Sequence, residues 1–138
     1  MSFREKSAWV TLIAILLVII IYLLHVPWHL EQHTAGFAFH AFFACMIMFI
    51  VIEVIAHIVL YLRFPKDALT PKDEREQLID LKAVRLAAYV YVAGSFTAVA
   101  SLHLGANNIT IAYGVMLAFI VAEIVNYGMR IYYYRRGV

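Results

Sequence analysis

From Ala8 to Val26 the chain runs nineteen residues without an aspartate, glutamate, lysine or arginine, and three more long apolar segments follow. A helix needs roughly 17–25 residues to cross a hydrocarbon core about 30 Å thick. In lipid every backbone N–H and C=O must be satisfied internally, so runs of this length can only span as helices. Segments at about 7–26, 35–64, 84–103 and 108–133 therefore predict an all-α, four-helix transmembrane bundle, one integral membrane domain over residues 1–138. The composition agrees: 14% of residues are charged, where a soluble domain carries about a quarter. The first run continues as "LLHVPWHLEQH" with no small-residue cleavage site, so it is expected to be a retained helix and not a removed signal. Cys45 stands alone and reads as a small packing residue.

The basic residues orient this topology. Arg4 and Lys6 precede the first span. Arg63, Lys66, Lys72, Arg75, Lys82 and Arg85 lie between the second and third, and Arg130, Arg135 and Arg136 close the fourth. The other two connections, "HVPWHLEQHTAG" and "HLGANN", contain no lysine or arginine. All basic residues thus fall on one side of a four-span chain, which the positive-inside rule makes the cytoplasm, with both termini inside. Orientation accounts for these charges, and no nucleic-acid partner is expected. Trp9 and Trp28 bracket the first span as interfacial anchors, and Pro27 is expected to end or kink it.

The cytoplasmic loop, 65–83, is the one highly charged segment. Thr70 is expected to cap a short helix, with Pro71 in its first position and Asp73 and Glu74 near its positive end, running almost straight into the third span. That span carries small residues every four positions, Ala93, Thr97 and Ser101 in one row and Gly94 and Ala98 in another. Such rows let helix backbones approach closely, within the bundle or across a homodimer seam.

"FIVIE" at residues 49–53 is answered by "FIVAE" at 119–123, and "LLH" ending at His25 by "SLH" ending at His103. Two parallel helix-hairpin repeats would produce this, as would coincidence among helices built from few residue types. Both quintets end in an acid. Glu53 lies ten residues before Arg63 and Glu123 seven before Arg130, which puts both in the inner half of the bilayer. A charged side chain near the bilayer centre costs at least about 2.5–3.5 kcal/mol. His57 follows Glu53 by one turn, and Asn126 follows Glu123 by three residues. Glu53, His57, Glu123 and Asn126 are expected to meet as one polar cluster inside the bundle. There two carboxyl groups would share a proton, which suits proton coupling or the binding, transport or sensing of a cation or small basic ligand. The plainer alternative is a set of interhelical hydrogen bonds that only fixes packing.

Five histidines, His25, His29, His33, His40 and His103, gather towards the outer side. A divalent metal could use His29 and His33 if a helical turn starts at Pro27. A haem b needs two axial ligands at equal depth, for which His40 and His103 are the pair. Polar caps on helix ends are the ordinary alternative. "HLEQH" is not the zinc-protease H-E-x-x-H, because Glu31 points about 200° round a helix from His29. No serine–histidine–acid or cysteine–histidine set at a shared depth is expected, nor a phosphate-binding glycine loop, so the chain is not read as an enzyme. Asp73, Glu74 and Arg75 form a solvated face or a docking site for a cytoplasmic protein partner of a non-catalytic scaffold.

The segment "PKDEREQLIDLKAVR" from Pro71 to Arg85, the Ala122–Glu123 pair in the last span and the terminal "YRRG" from Tyr134 to Gly137 resemble a group of small, uncharacterised bacterial inner-membrane proteins, a domain of unknown function. The similarity covers roughly the C-terminal half. It implies the four-helix topology, a bacterial inner (plasma) membrane location and a role for Asp73, Glu74 and Arg75. Some members are encoded beside small helix-turn-helix regulators, which implies a sensory or regulatory role. The resemblance names no substrate and does not extend to the outer histidines.

Overall fold

The computed structural model describes residues 2–29 and 35–137, with side chains at 2–24 and 40–137. Among the described residues there are only helices and their connections: α1 (Phe3–His29), α2 (Ala35–Arg63), α3 (Pro65–Leu69), α4 (Glu74–Ala100), a 3-10 turn (Ser101–Leu104) and α5 (Asn108–Arg136). Among the described residues four stretches are long and apolar enough to cross a membrane: Phe3–Leu24, His40–Arg63, Glu74–Leu104 and Asn108–Arg136. Their outward faces carry large apolar side chains such as Ile47, Leu62 and Phe96, exposed by 64, 70 and 73%. Contiguous apolar surface of this kind calls for a lipid or protein cover.

The chain divides into two compact units, Met1–Thr70 and Pro71–Val138, each built on one helical hairpin. In the first, α1 and α2 run antiparallel, with Ser7 against His57, Thr11 against Glu53, and Tyr22 edge-on to Phe42 at 6.1 Å. Among the buried positions of α1, Ala8, Thr11, Ile15 and Val18 advance in alternating steps of three and four, with Glu5 and Ala14 buried beside them. That 3.5-residue period keeps one seam facing the partner helix along the whole hairpin. Pro27 does not end α1, which continues to His29. Its missing N–H removes one helical bond, and only two residues of the helix follow it. Phe64 breaks α2 with φ −136°, and Pro65 opens α3 where a proline costs no hydrogen bond.

In the second unit the helix cap differs from the sequence expectation. Thr70 closes α3, its Oγ1 donating to the Lys66 carbonyl at 3.0 Å. Asp73 caps α4, its Oδ1 accepting from the Glu74 N–H at 2.7 Å. The backbone stays extended through Pro71, and a carboxylate at the positive helix end combines capping with dipole stabilisation. From Glu74 the helix runs unbroken for 27 residues, carrying the charged segment straight into the third apolar stretch as expected.

The hairpin of α4 and α5 closes through its smallest residues. A Cβ on Gly94 would lie 2.6 Å from the Cβ of Ala118, and one on Gly114 would lie 2.7 Å from the Cβ of Ala98. The seam continues through buried Ile79, Ala83 and Ala87 on α4 and Ala122 and Asn126 on α5. Of the two small-residue rows, Gly94 and Ala98 therefore face α5. Thr97 is exposed, its hydroxyl turned back to the Ala93 carbonyl at 2.9 Å. Gly105, at φ 83°, terminates the 3-10 turn in a conformation that other residues adopt at a cost.

Gly94→Ala is expected to force the helices apart, because the neighbouring atom is a backbone-tethered Cβ and not a flexible tip. It should destabilise the protein by about 1–3 kcal/mol. Gly128 has open space around its Cβ position, so Gly128→Ala should be neutral or mildly stabilising. Thermal unfolding of both purified variants in the same detergent checks the pair.

Candidate functional site

Glu53 sits on α2 with its side chain 16% exposed. Its Oε2 accepts from the Thr11 hydroxyl on α1 at 3.3 Å and lies 2.8 Å from His57 Nδ1 one turn further along α2. His57 Nδ1 is also 2.9 Å from the Glu53 backbone carbonyl. Both neighbours of Nδ1 are acceptors, so in the neutral ring Nδ1 carries the hydrogen and Nε2 keeps the lone pair. Nε2 lies 2.9 Å from Ser7 Oγ, which then donates to it. The result is a directional chain, Ser7 to His57 to Glu53, with Thr11 completing Oε2. Glu53 Oε1 is buried and has no hydrogen-bond partner among the described residues.

The geometry follows from helix spacing. Ser7 and Thr11 are four apart on α1, and Glu53 and His57 are four apart on α2, so each pair shares a face. Antiparallel packing brings the two faces together at one level. Thr11 is 4% exposed, while His57 is 38% exposed at the side chain, so the chain leads from a partly open end to a closed one. Lys6, next to Ser7, lies over the Phe64 ring at 3.5 Å and closes the same end of the hairpin.

Glu123 is served differently. Its Oε2 accepts from Asn126 Nδ2 at 3.4 Å, and Asn126 Oδ1 accepts from Arg130 Nε at 3.2 Å. Arg130 Nη1 pairs with Asp80 Oδ1 on α4 at 3.3 Å, and Lys72 Nζ donates to Asp80 Oδ2 at 2.5 Å. A buried amide is thus aligned between a cation and an acid, its carbonyl towards Arg130 and its NH2 towards Glu123. Arg130 also lies 5.2 Å from the Tyr127 ring centre. Along α5 the chain from Glu123 to Arg130 covers seven residues, about 10 Å.

Of the single cluster expected from Glu53, His57, Glu123 and Asn126, the structure shows the contacts within each hairpin, Glu53 with His57 and Glu123 with Asn126. Ser7, Thr11, Asp80, Arg130 and Lys72 escaped the sequence reading. Their signal was the i, i+4 spacing of Ser7–Thr11 and Asn126–Arg130, which matches that of Glu53–His57. A serine–histidine–acid set does share one level, contrary to the sequence expectation. It went unseen because Ser7 and Glu53 are far apart in sequence and only the hairpin register aligns them. His40 and His103 are exposed residues of different hairpins. The side chains of His25, His29 and His33 lie outside the described residues. Asp73 has its capping role, and Glu74 and Arg75 are exposed on the first turn of α4.

No protein-family model matches the chain, and neither a curated protein nor a solved structure matches it.

Asn126→Ala should leave Arg130 Nε and Glu123 Oε2 without their shared partner in a buried position. Losing a buried hydrogen-bond partner costs about 1–3 kcal/mol. A melting temperature equal to that of the parent protein would show that this chain does not form.

Proposed function

We propose that this is a small membrane protein that binds a proton reversibly at Glu53, with His57, Ser7 and Thr11 as its hydrogen-bonding shell. The observation that carries the reading is the state of the two carboxyl oxygens. Oε2 is held by Thr11 and His57, whereas Oε1 is buried with no partner among the described residues. An ionised carboxyl group in that position leaves a desolvated oxygen unmet inside an apolar helix. A proton on the carboxyl group removes that charge while Thr11 and His57 keep their places at Oε2.

Other chemistries fit less well. Among the described residues no three His, Cys, Asp or Glu side chains gather as a metal ion would require. Ser7–His57–Glu53 has the connectivity of a hydrolytic triad, but Ser7 lies inside α1. There its own N–H and the next are taken by carbonyls four residues back, so no pair of backbone donors faces a developing oxyanion. The chain favours moving protons over attacking a carbonyl.

The distribution of lysine and arginine supports a four-span topology with both termini in the cytoplasm, which puts Ser7 and His57 near the inner surface. Glu123 and Asn126 then serve as an oriented polar strut tied to the inner end by Arg130. Proton sensing or coupling also suits the sensory role implied by the resemblance of Pro71–Arg85.

The test is an infrared difference spectrum between acidic and alkaline pH on the full-length protein in lipid. The carbonyl stretch of a protonated carboxylic acid should appear at low pH, vanish in Glu53→Gln and persist in Glu123→Gln. A spectrum unchanged by Glu53→Gln would overturn the reading.

A further inference from the structure

We infer that Ser7 is the inlet of a proton relay, and that His57 passes protons between the Ser7 hydroxyl and Glu53 by exchanging its tautomer. This rests on the reading of Glu53 as the proton-binding group. The relay needs three oriented steps, and the geometry supplies each. Ser7 Oγ is 2.9 Å from His57 Nε2, and His57 Nδ1 is 2.8 Å from Glu53 Oε2. Both separations lie within the range for transfer along a hydrogen bond. His57 Nδ1 also touches the Glu53 carbonyl at 2.9 Å, which holds the ring in the plane that points Nε2 at Ser7.

The proton balance is simple. A proton arriving from solvent adds to a lone pair of Ser7 Oγ, and the original hydroxyl proton moves to His57 Nε2. The Nδ1 proton moves to Glu53 Oε2. Ser7 ends as a hydroxyl, His57 as a neutral ring with its hydrogen on Nε2, and Glu53 as a neutral acid. One proton has entered, and the single change of charge is on Glu53. The ring now has the opposite tautomer and presents a lone pair to Glu53. It cannot deliver again in the same direction until the proton returns or the ring turns over. Such a relay loads and unloads one carboxyl group reversibly, which suits a sensor or a coupled carrier better than an open proton conductor.

Ser7 also stands where a relay must begin. It lies four residues into α1, between Lys6 and buried Ala8, while Thr11 and Glu53 lie one turn deeper. The charged groups at that end of the hairpin are Arg4, Glu5 and Lys6 on α1, Arg63 on α2 and Lys66 and Asp67 on α3. All are kept in every variant of the test, so local electrostatics stays constant.

The test follows the Glu53 carbonyl band after a rapid pH jump, using full-length protein in lipid vesicles. Ser7→Ala should leave the final amplitude of the band intact and slow its appearance about tenfold or more. Ser7→Thr, which keeps a hydroxyl, should restore the rate, and His57→Gln should slow it as Ser7→Ala does. A purely structural role would move the amplitude or the stability and leave no rescue by threonine. If Ser7→Ala responds at the parental rate, the relay is wrong and proton binding at Glu53 stands. If the parent protein shows no band that depends on Glu53, the underlying reading fails as well.

Discussion

A carboxyl group among apolar side chains has no water to answer it, and the first hairpin is arranged around that fact. Glu53 needs donors at its own level, and the only way to bring them is from the neighbouring helix and from the next turn of its own. Thr11 does the first and His57 the second. The pairings Ser7 with His57 and Thr11 with Glu53 then define a register that a slide of one turn would disrupt, because one of the two acceptors would face Ile15 or Phe3 in place of a hydroxyl. The polar set thereby specifies the packing as well as the chemistry, a use of buried polar groups known from membrane helix pairs.

The second hairpin solves its own version of the problem with different means. Its packing comes from backbone contact at Gly94 and Gly114, which dispersion alone can drive where lipid offers no hydrophobic force. Its acid is reached by a side-chain amide whose orientation is set by Arg130 and, beyond it, by Asp80 and Lys72. Glu53 has a partner that can give and take a proton. Glu123 has one that cannot. The quintets "FIVIE" and "FIVAE" thus end in the same residue with different chemical neighbours. A shared motif places two acids without giving them one role.

Much of this is legible in the sequence. Hydropathy alone marks the four long helices, the four-residue spacing of Glu53 and His57 implies their contact, and Gly94 with Ala98 announces a close approach. Other features were hidden for definite reasons. A serine and a threonine in an apolar run carry no signal until the hairpin register shows what they oppose. Thr70 and Asp73 are both good caps, and only the extended backbone through Pro71 decides between them. Pro27 is expected from sequence to end or kink the first span, yet the helix continues two residues beyond it, to His29. Asp80 and Arg130 lie fifty residues apart and meet only once α4 and α5 pack.

The most direct test of the account is nitrogen NMR of His57 in the full-length protein in lipid bilayers. It reads which ring nitrogen carries hydrogen in the neutral form, and the histidine is assigned by its loss in His57→Gln. With Glu53 ionised at alkaline pH, the arrangement requires the Nδ1–H tautomer in the parent protein and a loss of that preference in Glu53→Ala. With Glu53 ionised, a neutral ring with hydrogen on Nε2, or a preference indifferent to Glu53→Ala, would mean that His57 does not serve Glu53, and there would be no proton-binding centre at this level of the hairpin.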